Sequence, residues 1–292
     1  MPAPNPPYSD SDFITSVTWD RFRYHRGDGD MWPLTWAADG NLYGGAGDNQ
    51  GSPMNFWRIE GDGLQAASVY LVDNLPVDPK RYCRIPPADP TAGIKPAGLL
   101  SMHGRLCFAV EAMNYGENPS FNRQRNIHGW IITSDDFGRT WNREATPTNF
   151  FEDRLSSCHF VQYGKDNADA LDEYVYAYFP GVGDDGHSYW ENGDGILLGR
   201  VHRDRILQRE AWTFFAGLDG NNAARWTTDD RRAELIFHYT GMTGEDHVSY
   251  NPGLRRYLLV RATAIISCAI VCARASHSES ANRVPVSWSA GW

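Results

Sequence analysis

A chain of 292 residues, 41 % hydrophobic and 13 % aromatic, is long enough to bury a substantial core as one large domain or two ordinary ones. Its 27 Lys and Arg against 36 Asp and Glu leave a formal charge of −9 with no basic stripe, so a nucleic-acid backbone is excluded as the expected partner and a neutral or weakly charged ligand fits better. The 28 Gly and 17 Pro are scattered as turn punctuation rather than gathered in a linker, which favours a single domain over 13–261.

Four prolines interrupt the first ten residues, and no charged stretch leads into an apolar one there. No later segment approaches the ~18 uninterrupted apolar residues of a membrane span. A soluble chain is expected, with no membrane span and with secreted and cytoplasmic locations both open. The stretch 29–51 follows. Two aspartates, Asp30 and Asp48, bracket Trp32, Trp36 and an Asp-Gly turn. Paired carboxylates and aromatic faces are what a sugar ring and a glycosidic bond require, although Asp-Gly pairs are equally the material of tight turns. The expected placing is Trp32 at a mouth and Trp36 inside, with Asn49 and Gln50 on the loop beside Asp48.

Short alternating segments flanked by turns then recur at 39–43, 102–110, 172–179, 195–201 and 254–260. Comparable pieces are spaced by about 60 to 70 residues, which suits four-stranded propeller blades with long loops. The expected fold is all-β, a five-bladed β-propeller, with helix confined to a turn or two near 203–212. Glu111 and Asn114 follow the apolar run 106–110, at a strand end where propeller loops present ligands. His128 precedes the segment Ser134 to Trp141, which fits the Asp-box pattern S-x-D-x-G-x-T-W. In such a box Ser134 and Asp136 bond turn backbone, Gly138 supplies a permissive φ and Trp141 packs between strands, so Asp136 is read as structural. Trp190 and Glu191 sit in a Gly/Asp-rich loop, and Glu245, Asp246 and His247 precede an Asn-Pro turn; each is a candidate subsite residue.

From Ala262 the turn-and-aromatic rhythm stops, and 262–292 reads as an atypical tail, frameshifted or disordered, that leaves the last blade incomplete. Five cysteines at irregular spacing give no zinc or redox pair. Asp28, Asp30, Asp184, Asp185 and Asp194 offer oxygen ligands, yet none completes a twelve-residue calcium loop. No metal and no cofactor are expected, with a structural calcium left open. A monomer is expected.

The segments at 29–43, 47–51, 95–100, the Asp-box, 172–178 and 250–258 together resemble, in wording and order, the family grouped as domain of unknown function 4185. That family includes endo-D-arabinofuranases acting on mycobacterial arabinan. The resemblance implies a sialidase-like propeller and glycoside hydrolysis, and it places the family's catalytic pair at Asp30 and Asp48. It fails in the tail. If both carboxyls face one cavity, their roles must diverge, with Asp30 beside Trp32 as general acid and Asp48, in a polar loop, as general base of an inverting reaction. Two rivals stand beside this reading. Tyr82 to Pro86 is similar to the Arg-Ile-Pro segment of sialidases, and a propeller that binds carbohydrate without turnover would use the same aromatics.

Overall fold

The computed structural model describes residues 16, 29, 31–49, 52–60, 68–75, 93–114, 124–261, 269–274 and 288–291. They form an all-β molecule relieved only by single 3-10 turns. The first sheet is an antiparallel meander of β1 (Leu34–Trp36), β2 (Leu42–Asn49), β3 (Ser52–Glu60) and β4 (Ser68–Leu75). A second meander runs through β5 (Gly93–Met102), β6 (Arg105–Asn114), β7 (Arg125–Ser134) and the short β8 (Phe151–Glu152). A third is built on β9 (His159–Phe160), β10 (Tyr174–Val182), β12 (Gly193–His202), β13 (Thr213–Leu218) and β14 (Ala224–Thr227). The two-residue β11 (Ser188–Tyr189) pairs with both β10 and β7, and β15 (Leu235–Thr243) pairs with the start of β12. The last sheet is β16 (Asp246–Asn251), β17 (Arg256–Arg261), β18 (Ala269–Arg274) and β19 (Trp288–Gly291).

Strand pairing thus gives three sheets among the described residues, because β11 fuses the second and third meanders. Five separate blades are not distinguished, and among the described residues no strand pairing closes a ring. The segment 262–292, set apart in the sequence, supplies β18 and β19, and β18 pairs with β17 along its full length.

Burial explains which segments became strands. Every described side chain of β5 and β6 except those at the connecting turn is buried, which fits their near-continuous apolar runs, whereas β16 alternates buried and partly exposed as a strand with one open face should. Face-to-face packing of neighbouring sheets makes two clusters. One gathers Tyr43, Met54, Phe56, Phe108, Ile131, Phe151, Phe179 and Trp212 from the first three meanders. The other joins Tyr163, Tyr178, Ile196, Phe237, Tyr250, Tyr257 and Leu259 between the third meander and the last sheet.

The turn after β7 behaves as its sequence demands. Ser134 Oγ donates to Asp136 Oδ1 at 2.9 Å and accepts from the Gly138 amide at 2.8 Å, while Asp136 accepts from the Thr140 amide and hydroxyl at 2.8 and 2.7 Å. Gly138 sits at φ +86°, a conformation open to glycine, and the Trp141 indole packs edge-on against Phe56 at 4.9 Å. Asp136 is therefore occupied in ordering this turn.

Where the sheets meet, Gln162 ties all three. Its amide nitrogen donates to Leu99 O of β5 at 2.6 Å, and its amide oxygen accepts from Thr35 Oγ1 of β1 at 3.0 Å. Its backbone N–H donates to Val248 O and its carbonyl accepts from the Tyr250 N–H of β16, directly after β9. Next to it the chains touch. A Cβ on Gly98 would lie 2.5 Å from Cys158 O and 2.9 Å from His159 Cα, so only glycine lets β5 and β9 approach this closely.

Candidate functional site

That convergence encloses a cavity of about 200 Å³. The chain at Met31–Leu34 forms one wall, Ala97 to Leu99 of β5 a second, His159, Phe160 and Gln162 a third, and Glu245, Asp246 and His247 the fourth. The cavity thus lies where the three sheets meet, two of its walls coming from the large middle sheet.

Trp32 offers its ring at the first wall, half-buried against Trp57 at 5.7 Å, with its indole N–H donated to Gly29 O at 3.3 Å. Trp36, expected inside, is 47 % exposed and donates its indole N–H to Gly40 O at 3.1 Å. This corrects the placing of the second indole. Alternation along β1 buries Thr35, whose hydroxyl is needed by Gln162 and by the Ser101 amide, and so turns Trp36 outward to close its own hairpin.

Behind the fourth wall lies a set of ionisable groups that the apolar pattern of the strands conceals. Lys95 of β5 and Glu111 of β6 stand opposite each other in register, both buried. Lys95 Nζ also lies 6.0 Å from the centre of the Trp190 ring. Trp190 and Glu191 back directly onto the turn before β16, since a Cβ on Gly244 would come within 2.6 Å of Trp190 O and 3.1 Å of Glu191 Cα. Glu111, Glu191, Glu245 and Asp246 consequently share one neighbourhood with Lys95.

Electrostatics in that neighbourhood run against ionisation of the carboxyls. Burial pushes Glu111 up to about 8, with the Ser157 hydroxyl and Lys95 opposing it only in part. Ser157 Oγ is committed to His159 Nε2 at 2.8 Å, and neither Glu111 oxygen has a well-formed hydrogen bond. Glu245 is held well above the usual carboxylate range by burial and then by repulsion from Glu111, Asp246 and Glu191. Burial raises Glu191 as well. The histidines move the other way. Burial and the neighbouring His247 push His159 down to about 3, and burial lowers His247. Burial thus favours the neutral form of Glu245 and of both imidazoles that line the cavity.

The remaining sequence candidates are distributed as follows. Asp30 and Gln50 lie outside the described residues; Met31 and Trp32, which follow position 30, are cavity wall. Asp48 and Asn49 end β2 and Asn114 ends β6. His128 of β7 is buried beside its strand partner Glu152, 3.9 Å from Oε1, and does not line the cavity. Asp246 and His247 do line it, and its Oδ2 lets Asp246 also accept from the Gly244 amide at 3.3 Å. Sequence reasoning passed over Lys95, His159 and Gln162. A charged residue inside the buried run 93–102 was the available signal for Lys95, whereas His159 and Gln162 become visible only once the three sheets converge. Asp194 accepts from the Asp184 and Gly241 amides, so it braces loops. Among the described residues no group of three or more His, Cys, Asp or Glu converges to hold a metal.

No protein-family model matches this chain, and neither does any curated protein. Solved structures do. A Bacteroides ovatus protein described as a candidate hydrolase aligns over 91 % of this chain and 70 % of its own, at 13 % identity and a TM-score of 0.53. A GH43_1 enzyme from Xanthomonas citri, crystallised with xylotriose, aligns over 89 % and 74 % at 16 % identity with a TM-score of 0.47. A Bacteroides thetaiotaomicron protein described as a candidate glycosidase aligns over 89 % and 71 %, at 11 % identity and 0.42. The first of these likenesses establishes a shared all-β fold. No helix among the described residues is long and apolar enough to cross a membrane.

Proposed function

We propose that this protein is a glycoside hydrolase acting on a furanose-containing polysaccharide such as D-arabinan. One observation carries the reading. One cavity is lined by both an indole, Trp32, and the carboxyl-bearing Glu245 and Asp246, the combination that holds the apolar side of a sugar ring while meeting its hydroxyls. Solved structures of similar fold include proteins described as hydrolases and glycosidases, which agrees with a carbohydrate ligand. The resemblance to the domain 4185 family supplies the choice of furanose and assigns the catalytic pair to Asp30 and Asp48, as acid and base of an inverting reaction. The position of Met31 and Trp32 in the cavity wall supports the first of these. The chain acts as a monomer on a carbohydrate polymer, and the reaction is written without a metal or cofactor, since acid and base suffice for it.

The test is release of reducing ends from D-arabinan and from a panel of other furanose and pyranose polymers. Wild type is expected to release them from arabinan, and Asp30→Asn and Asp48→Asn, made singly, are each expected to lower the rate by roughly 10²–10⁴-fold while leaving oligosaccharide affinity in place. No release from any polymer, with binding retained, would shift the reading to a non-catalytic carbohydrate-binding propeller.

A further inference from the structure

Gln162 lines the cavity, and its side chain bonds to residues of two other walls or next to them. Its amide nitrogen faces two carbonyls, Leu99 O of β5 at 2.6 Å and Phe160 O of β9 at 3.5 Å, which fixes that end of the amide as the donor. Its amide oxygen accepts from Thr35 Oγ1 at 3.0 Å, and Thr35 Oγ1 accepts from the Ser101 amide of β5 at 2.9 Å, so the direction of each bond in this chain is determined. Thr35 and Ser101 are buried, where water does not readily replace such bonds. Thr35 follows directly on the wall segment Met31–Leu34, which carries Trp32, and stands outside the lining itself. The Gln162 backbone pairs with Val248 and Tyr250, directly after Glu245, Asp246 and His247. One residue thus links the wall bearing Trp32 to the wall bearing the carboxyls.

We propose that Gln162 is the positioning residue of this cavity: through Thr35 it sets where the wall carrying Trp32 stands relative to the wall carrying Glu245 and Asp246. The inference rests on the cavity being the carbohydrate site and adds how its walls are kept in place for a sugar ring. A ring stacked on Trp32 brings its hydroxyls to the carboxyls only while the separation of these walls is held, and a misplacement of about 1 Å can cost on the order of 10²-fold in rate. Asp30, the assigned acid, immediately precedes the same segment in the chain. Strand pairing secures this wall on one side: β1 is three residues long and lies at the edge of its sheet, bonded to β2. The Thr35 hydroxyl supplies the side-chain bonds from β1 to β5 and to Gln162.

Four variants of the full chain test this: Gln162→Leu, Thr35→Val, the two combined, and Thr35→Ser, which keeps the hydroxyl. Reducing-end release from D-arabinan separates kcat from KM, and hydrogen–deuterium exchange over 31–36 reads the wall without any ligand. Gln162→Leu and Thr35→Val are each expected to lower kcat by about tenfold or more, with a smaller change in KM. The double variant is expected to be no slower than the slower single, because both changes cut one connection. Exchange over 31–36 should quicken in both singles and stay as in wild type over 196–201 of β12. Thr35→Ser should stay close to wild type in both measurements. Wild-type kcat in Thr35→Val, with only its unfolding midpoint lowered, overturns the inference and leaves Thr35 a structural residue. So does a roughly hundredfold loss in the double variant, the mark of two separate contributions, and so does unchanged exchange over 31–36. If circular dichroism shows that Gln162→Leu does not fold, Thr35→Val and Thr35→Ser decide the matter. If wild type releases no reducing ends, the failure lies with the carbohydrate reading, and exchange over 31–36 still decides for or against Gln162 as the holder of that wall.

Discussion

Trp212→Ala is expected to lower the free energy of unfolding by about 3–5 kcal/mol, the cost of deleting a fully buried indole and leaving a cavity. Trp212 is 0 % exposed. Its ring meets Phe151 of β8 edge-on at 5.2 Å and Phe179 of β10 at 6.2 Å, so it joins the second and third meanders, and its indole N–H satisfies Ile206 O at 3.0 Å. Alanine would remove the packing on two aromatic faces and strand that carbonyl. Urea unfolding followed by tryptophan fluorescence and circular dichroism would measure the change as a shift in midpoint at constant slope. Trp212→Phe should recover part of the loss. A deficit below about 1 kcal/mol would show that the two meanders are not held through this residue.

The second large effect is the pH dependence of stability set by Glu111. Its folded value of about 8 stands above the ordinary 4.5, so the native state holds a proton that the unfolded chain gives up. The stability tied to this group is fully present below pH 4.5 and is lost as pH rises through about 8; for a fully buried carboxyl the loss amounts to roughly 3–5 kcal/mol. Glu191 and Glu245, both raised, act in the same direction. His159 acts oppositely. Its folded value near 3 lies below the ordinary 6.5, so its contribution is present above pH 6.5 and is lost as pH falls toward 3. Wild type should therefore be most stable in mildly acid solution and weaken on both sides. Glu111→Gln, measured by denaturant unfolding from pH 5 to pH 9, should match wild type near pH 5 and decline much less above it. An alkaline decline in the variant as steep as in wild type would place Glu111 in contact with solvent, against its burial.

Much of this architecture can be read from the chain before any coordinates. The all-β class and the strands at 102–110, 172–179, 195–201 and 254–260 follow from period-two patterning and turn residues, and the Ser134–Trp141 turn follows from a motif whose every side chain has a hydrogen bond or packing role. Trp36 went astray because its neighbour Thr35, small and polar, is claimed by Gln162 of a distant sheet, a contact across 127 residues that no local pattern contains. The tail went unrecognised as strand because β18 and β19 lack flanking turn signals and are aligned by β17 instead. Of the residues nominated from strand ends and loops, Trp32, Asp246 and His247 line the cavity, whereas Glu111 lies buried within β6 and neither it nor Trp190 and Glu191 is part of the lining. Lys95 and His159 could not be nominated, since their meaning comes from convergence of β5, β9 and β16. Sequence also does not show that the second and third meanders share one sheet, because β11, the strand that joins them, is two residues long.

The central claim is that the cavity between Trp32 and Glu245 receives sugar. A crystal structure of the full chain with a neutral arabinofuranosyl oligosaccharide tests it most directly. The expected result is a sugar ring with its apolar face on the Trp32 indole and hydroxyls within hydrogen-bond distance of Glu245 and Asp246. An oligosaccharide bound only on an outer sheet face, with the cavity holding water at saturating ligand, would contradict it.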